Sequence, residues 1–115
     1  MFLNKSHSMY RHTFNVVSYM GKRKEISITI DELWNSILKY EGEKFYTATG
    51  LCFTYVVIDE YHIQPYREGK TRWKLSKNLF AKALDFPKYS GTEFNNSIIG
   101  SSYVAGILND DRIYK

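Results

Sequence analysis

Gly69-Lys70-Thr71, in the stretch "EGKTR", matches the tail of a phosphate-binding P-loop. In that motif backbone amides and the lysine hold phosphates at the start of a helix. The full motif needs a glycine five residues before Gly69, where this chain has Gln64, and a strand-like "TRWKL" follows in place of a helix. A hairpin turn is the better reading. Asp59 with Glu68-x-Lys70 has the residue types of a metal-dependent nuclease, whose carboxylates must share a Mg²⁺. They flank a strand-like segment, and nine extended residues would hold them roughly 30 Å apart. His7, His12 and His62 lack the spacing of a helical or finger-type metal pair. Cys52 lies in an apolar run with no local cation, and reads as a small buried hydrophobe. Ser101 and Ser102 in "GSSYVAG" look like a helix cap, not a nucleophile elbow. No catalytic residue, metal ligand or cofactor site is assigned on these grounds. That leans away from an enzyme without excluding one, because a cluster assembled only in space does not show in a sequence.

The residues that best suggest chemistry are cationic. Arg67, Lys70, Arg72, Lys74 and Lys77 fall within eleven residues, interleaved with Tyr66 and Trp73. In a strand, Arg72 and Lys74 would point outward while Trp73 and Leu75 point into the core. Lys77 falls in the first turn of a helix, where the dipole disfavours a cation unless an anion neutralises it. Grouped Lys and Arg of this kind grip backbone phosphates, and Tyr66 is placed to stack on bases. Lys22, Arg23 and Lys24 form a second basic group that the fold could bring to the same face. The alternative is a solvated face with no ligand.

These side chains must be held by elements, and the sequence indicates which. "TFNVVSY" reads as a strand, "MGKRK" as a turn and "EISIT" as the returning arm. Thr29 with Glu32 is a capping box, followed by Ile30, Leu33, Trp34, Ile37 and Leu38 on one helical face. Lys39 sits in the last turn and Gly42 is placed to end the helix. "KFYTATG" and "LCFTYVVI" read as strands about a bend at Gly50. The second is apolar on both faces, which predicts a central strand. Pro65 places "YHIQPY" at an edge, and "REGK" turns into "TRWKL". Ser76 caps a helix with Leu79, Phe80, Ala83 and Leu84 as its stripe, stopped by Pro87. A Ser-, Gly- and Asn-rich loop leads to a last helix, "SYVAGILND", with Tyr103, Val104, Ile107 and Leu108 facing inward.

Grouped strands and helices in this order predict an α+β fold: a small antiparallel sheet of about four to five strands with three helices packed on it. The 115 residues suit one domain spanning 1–115, with 1–12 a flexible N-terminal extension. The aromatic fraction of 17% argues against disorder, since such side chains supply large buried areas. A single cysteine excludes an internal disulfide. With no apolar run near the roughly 18 residues of a membrane span and no signal-like start, the chain reads as cytoplasmic, in the producing or host cell, with no membrane partner. The net charge of +4 is unevenly spread. Bases dominate residues 1–24 and 61–90, and acids dominate 25–60, including Asp31, Glu32, Glu41, Glu43, Asp59 and Glu60. Such an acidic segment offers another surface, able to imitate nucleic acid by charge complementarity.

The phrases "FYTATGLCFTYVV", "LSKNLFAKAL" and "GSSYVAGILNDDRI" resemble segments of a group of short bacterial and phage α+β proteins with no settled activity. The resemblance spans residues 29–113 and leaves "MFLNKSHSMYRHTF" outside. It implies a prokaryotic cytoplasmic protein, in a setting where defence and counter-defence proteins are common, and it assigns no catalytic residue. The functional expectation is a small binding protein associated with nucleic acid through Lys22, Arg23, Lys24, Tyr66, Arg67, Lys70, Arg72, Lys74 and Lys77. The alternative is a protein–protein inhibitor or adaptor, such as a phage-encoded blocker of a host nuclease or defence complex, whose partner belongs to a nucleic-acid-processing assembly.

Overall fold

A computed structural model of the chain describes residues 11–17 and 23–114, with side chains from residue 28 onward. Strands β1 (Arg11–Val17) and β2 (Arg23–Thr29) pair antiparallel as a separate two-stranded sheet. Arg23 and Lys24 are therefore strand residues and not part of the turn expected at "MGKRK", because pairing runs on to Val16↔Lys24 and Val17↔Arg23. β1 begins at Arg11, inside the segment expected as an extension. Lys22 and His7 lie outside the described residues.

Helix α1 (Ile30–Lys39) starts where the sequence predicts. Glu32 N–H donates to Thr29 Oγ1 at 3.1 Å, and Thr29 N–H donates to Glu32 Oε1 at 2.9 Å. Its buried stripe is Ile30, Leu33, Trp34 and Ile37. The main sheet is antiparallel: β3 (Phe45–Tyr46), β4 (Cys52–Asp59), β5 (His62–Arg67) and β6 (Lys70–Thr71) in that order, with β7 (Leu75–Ser76) also paired to β5. Helices α2 (Lys77–Ala83), α3 (Thr92–Ser97) and α4 (Ser101–Leu108) follow, then a 3-10 turn at Asp111–Tyr114. The fold is α+β, as the order of elements predicts. α3 is an addition, formed inside the loop rich in turn residues and anchored by buried Phe94.

Phe53 and Tyr55 of β4, Ile63 of β5 and Leu75 of β7 are fully buried on one sheet face. Tyr55 reaches α1, donating its hydroxyl to the Ile37 carbonyl at 2.5 Å, and burial pushes that phenol above its ordinary pKa. Phe53 meets Tyr103 of α4 edge-on at 5.0 Å, and Trp34 meets Phe80 of α2 at 5.8 Å. α4 is buried from Tyr103 to Leu108. It approaches the sheet so closely that a Cβ on Gly106 would stand 2.6 Å from the Tyr46 carbonyl oxygen. Its cap is Gly100, at φ +67°, and not Ser101 or Ser102, because only a residue tolerant of the left-handed region can enter the helix there.

The strand readings need three corrections, and one proline explains two of them. β5 is an interior strand, not an edge: it pairs with β4 on one side and with β6 and β7 on the other. A strand residue directs its N–H and C=O to the same side, and the Pro65 carbonyl accepts Arg72 N–H at 2.8 Å. The position with no donor therefore faces the gap between β6 and β7. There the ladder cannot continue, so "TRWKL" is split and Trp73 is 66% exposed, not core. The third correction is Cys52, which is exposed. The second face of β4 is apolar in sequence but is left partly open, with Ile58 also exposed.

Candidate functional site

The turn Arg67-Glu68-Gly69-Lys70 joins β5 to β6 with φ of 54° at Glu68 and 76° at Gly69. Two successive positive φ values are those of a type I′ hairpin turn, the form that suits strand twist. This is the bland reading of "EGKT", and the amides of Gly69 and Lys70 open no helix. The hairpin sets Arg67 directly opposite Lys70, and Tyr66 opposite Thr71. Alternation puts Arg67 on the face of Ile63 and Pro65, toward the helices, where its Nε donates to Tyr103 Oη at 3.2 Å. Lys70 shares that face by register, and Arg72 follows two residues on, opposite Pro65. Two like charges directly across a ladder repel. The only carboxylate ion-paired to Arg67 among the described residues is Glu68, at 4.0 Å.

Arg72 is half-buried, and its Nε is shut off from solvent with no hydrogen-bond partner among the described residues. A buried donor left unpaired is costly to the fold, and because solvent does not reach this atom, an anion from outside would meet the guanidinium only by its other nitrogens. Its backbone is pinned: besides the bond to Pro65, the Arg72 carbonyl accepts Gln64 Nε2 at 3.0 Å. Lys70 and Lys74 are exposed. Trp73 stands between the two pinned flanks, with Gly100 beside it: a Cβ there would lie 4.0 Å from Trp73 Cε3.

Lys77 does not join this group. It opens α2 as expected, but its Nζ lies 2.5 Å from Asp31 Oδ1 of α1, so the anion that neutralises it is internal. Lys82 is also engaged, donating to the Ser97 carbonyl at 3.0 Å. Tyr66 faces the opposite side of the sheet from Arg67. There it lines an open groove of about 430 Å³ with Cys52, Thr54, Val56, Lys44 and Glu68. Arg23 and Lys24 lie on β2, and their side chains, like Lys22, are outside the described residues. Of the expected residues, Arg67, Lys70 and Arg72 are grouped by register. Exposed Lys74 lies further along the segment, near enough to Asp59 for its charge to help the His62 hydrogen bond lower that carboxyl's pKa; these four remain as contact candidates.

The acidic segment is largely committed to folding. Asp31 pairs Lys77, Glu32 completes the capping box, and Glu41 Oε2 accepts Val57 N–H at 2.8 Å. Asp59 Oδ1 accepts His62 Nδ1–H at 2.9 Å and Tyr61 N–H at 2.8 Å, and these bonds hold its carboxyl below the usual range. Asp59 and Glu68 sit at opposite ends of β5. Because Asp59 folds back to pair with His62, the separation is about 20 Å, less than the extended count but far beyond a shared ion. Among the described residues no group of three or more His, Cys, Asp or Glu could hold a metal ion. No helix among them is long and apolar enough to cross a membrane. Compared with known proteins, the chain matches no family model, no curated protein and no solved structure.

Proposed function

We propose that this protein binds nucleic acid by its phosphates, through Arg67, Lys70, Arg72 and Lys74 on the β5–β6 hairpin and the segment after it. The observation that carries this reading is the cross-strand pair Arg67–Lys70, with Arg72 two residues on along the same face. Such an arrangement costs stability in the free protein and is relieved by an anion that bridges the cations. The reading goes with a cytoplasmic protein, in keeping with an exposed, unpaired Cys52. It also goes with the bacterial or phage origin that the resemblance implies.

The test is binding to labelled single- and double-stranded DNA and RNA at two salt concentrations. Binding at low salt that weakens steeply as salt rises supports the reading. Lys70→Glu with Lys74→Glu, both exposed and so tolerated by the fold, should abolish it. Absence of binding at low salt refutes it.

A second reading has its own observation. Ile99 is 65% exposed and precedes Gly100, whose Cβ position lies 4.0 Å from Trp73 Cε3. Two exposed apolar side chains, Ile99 and Trp73, add nothing to a phosphate grip, but suit the apolar centre of a protein interface. That favours the inhibitor or adaptor, docking through Trp73 and Ile99 and not through the acidic segment, whose carboxylates are mostly engaged. Ile99→Asp should then remove a protein partner captured by pull-down and leave nucleic-acid binding unchanged.

A further inference from the structure

We infer that the nucleic acid is single-stranded and that Trp73 stacks on one of its unpaired bases. This rests on the phosphate reading above and adds a substrate class to it. The starting point is the contrast between the two tryptophans of the chain. Trp34 is 3% exposed, and its indole N–H donates to the Glu60 carbonyl at 2.8 Å. Trp73 is 66% exposed, at the point where the chain leaves the sheet. Tryptophan supplies a large apolar area that folding normally hides, so a solvent-facing indole on a fixed support is a surface without its partner.

The support is fixed on both sides. Upstream, Arg72 is bonded through its N–H to Pro65 and through its carbonyl to Gln64. Downstream, Leu75 and Ser76 pair with Ile63 and His62. The indole is therefore presented with little backbone freedom left to lose on binding. The immediate neighbours settle which partner suits it. Arg72 and Lys74 flank Trp73 in the chain, and Lys70 lies on the same hairpin, so the indole stands in a cationic segment. A single strand presents the matching alternation, since its phosphates can meet the cations while its bases remain free to turn toward an aromatic ring. A duplex offers the same phosphates but keeps its bases stacked on one another, so that their faces are not open to an indole.

The experiment uses the intact protein and its own fluorescence. A mixed-sequence single-stranded DNA and RNA oligonucleotide, and the duplexes of the same length, are titrated at low salt. Emission of the exposed Trp73 is quenched by the single strand, whereas Trp73→Phe, which leaves only buried Trp34 emitting, shows no quenching. Trp73→Ala weakens single-strand affinity about tenfold or more, Trp73→Phe retains most of it, and neither changes duplex affinity. Unaltered Trp34 emission in the variants shows that they are folded. If Trp73→Ala leaves single-strand affinity unchanged while Lys70→Glu with Lys74→Glu abolishes it, stacking is wrong and the phosphate reading stands. If single strand and duplex bind equally with no quenching, the single-strand assignment is overturned. If neither binds, both readings fall together.

Discussion

Lys70 and Lys77 are both lysines of the basic stretch, and the structure gives them opposite fates. That difference can be measured as a salt slope. Each phosphate neutralised on a single strand contributes about 0.7 to the fall of log affinity against log salt. With Arg67, Lys70, Arg72 and Lys74 each on one phosphate, the slope is about −2.8, so raising salt from about 50 to about 200 mM weakens binding about 50-fold. Lys70→Gln removes one contact, which takes the slope to about −2.1 and the loss over the same range to about 20-fold. Lys77→Gln leaves the slope at the wild-type value, because its charge is already opposed by Asp31 at 2.5 Å. Its effect belongs to stability instead. The pair is partly exposed, with side-chain exposures of 25% for Lys77 and 50% for Asp31, so its loss costs no more than about 1 kcal/mol. Anisotropy titrations at four or more salt concentrations, with thermal melts of the same variants, supply both numbers. A shallower slope in Lys77→Gln, matching that of Lys70→Gln, would refute the partition: it would mean that Lys77 leaves Asp31 for a phosphate. An unchanged slope in Lys70→Gln would remove the hairpin from the interface.

Three further expectations concern the scaffold. Gly106→Ala gains about 1 kcal/mol of helix propensity, but its Cβ would stand 2.6 Å from the Tyr46 carbonyl and 2.9 Å from Phe53, which neither can yield without moving the sheet. Overpacking at about 3 kcal/mol outweighs the gain, so a net loss of about 2 kcal/mol should appear in urea denaturation, and a stabilised variant would refute the close approach. Thr29→Ala removes the side-chain half of the capping box, the Oγ1 that accepts Glu32 N–H, while its backbone N–H can still donate to Glu32; it should cost about 1 kcal/mol, with Thr29→Ser restoring most of it. For Asp59 the folded pKa is lowered, first by the bond from His62 and then by the Tyr61 amide. Its contribution is therefore present above the unfolded carboxyl pKa near about 3.9 and lost as pH falls through the lower folded value. Denaturation midpoints of wild type and Asp59→Asn should converge in that acid window, and a constant difference across it would contradict the assignment.

How much of this was legible in the sequence follows from how local each determinant is. The α1 cap needs only Thr29 and Glu32, and the α2 cap only Ser76, whose hydroxyl accepts Leu79 N–H at 3.1 Å. Both are visible within a few residues. The Glu68-Gly69 turn is equally local. Lys77 was misleading because its partner Asp31 lies on another helix, far away in sequence. Cys52 was misread for a related reason: an apolar strand shows that both faces could be buried, but not whether anything covers the second one. Arg112 gave no signal at all. It donates to both Asp110 oxygens and to the Lys44 carbonyl, and lies 4.5 Å over the Phe45 ring, tying the C-terminal turn to β3 through contacts no motif encodes. Within the candidate site, the clustering of cations was readable and their facing was not.

The facing turns on Pro65. Read along the chain, a proline in "YHIQPY" demotes its own strand to an edge. In the fold β5 keeps both neighbours, and the missing donor is felt one strand over, where residues 72–74 drop out of the ladder between β6 and β7. Had "TRWKL" run on in the register of β6, alternation would have kept Arg72 and Lys74 on the face of Pro65 and Ile63, toward the helices, and turned Trp73 and Leu75 to the other face. The break releases that constraint. It shifts the register by one residue, so that Leu75 opposes Ile63 in the core while Trp73 stays at the surface, and the bonds from Gln64 and to Pro65 hold the segment between them. A residue chosen for what it cannot donate thus shapes the surface most suited to contact, while Ile63 and Leu75, on either side of the break, hold the core closed beneath it.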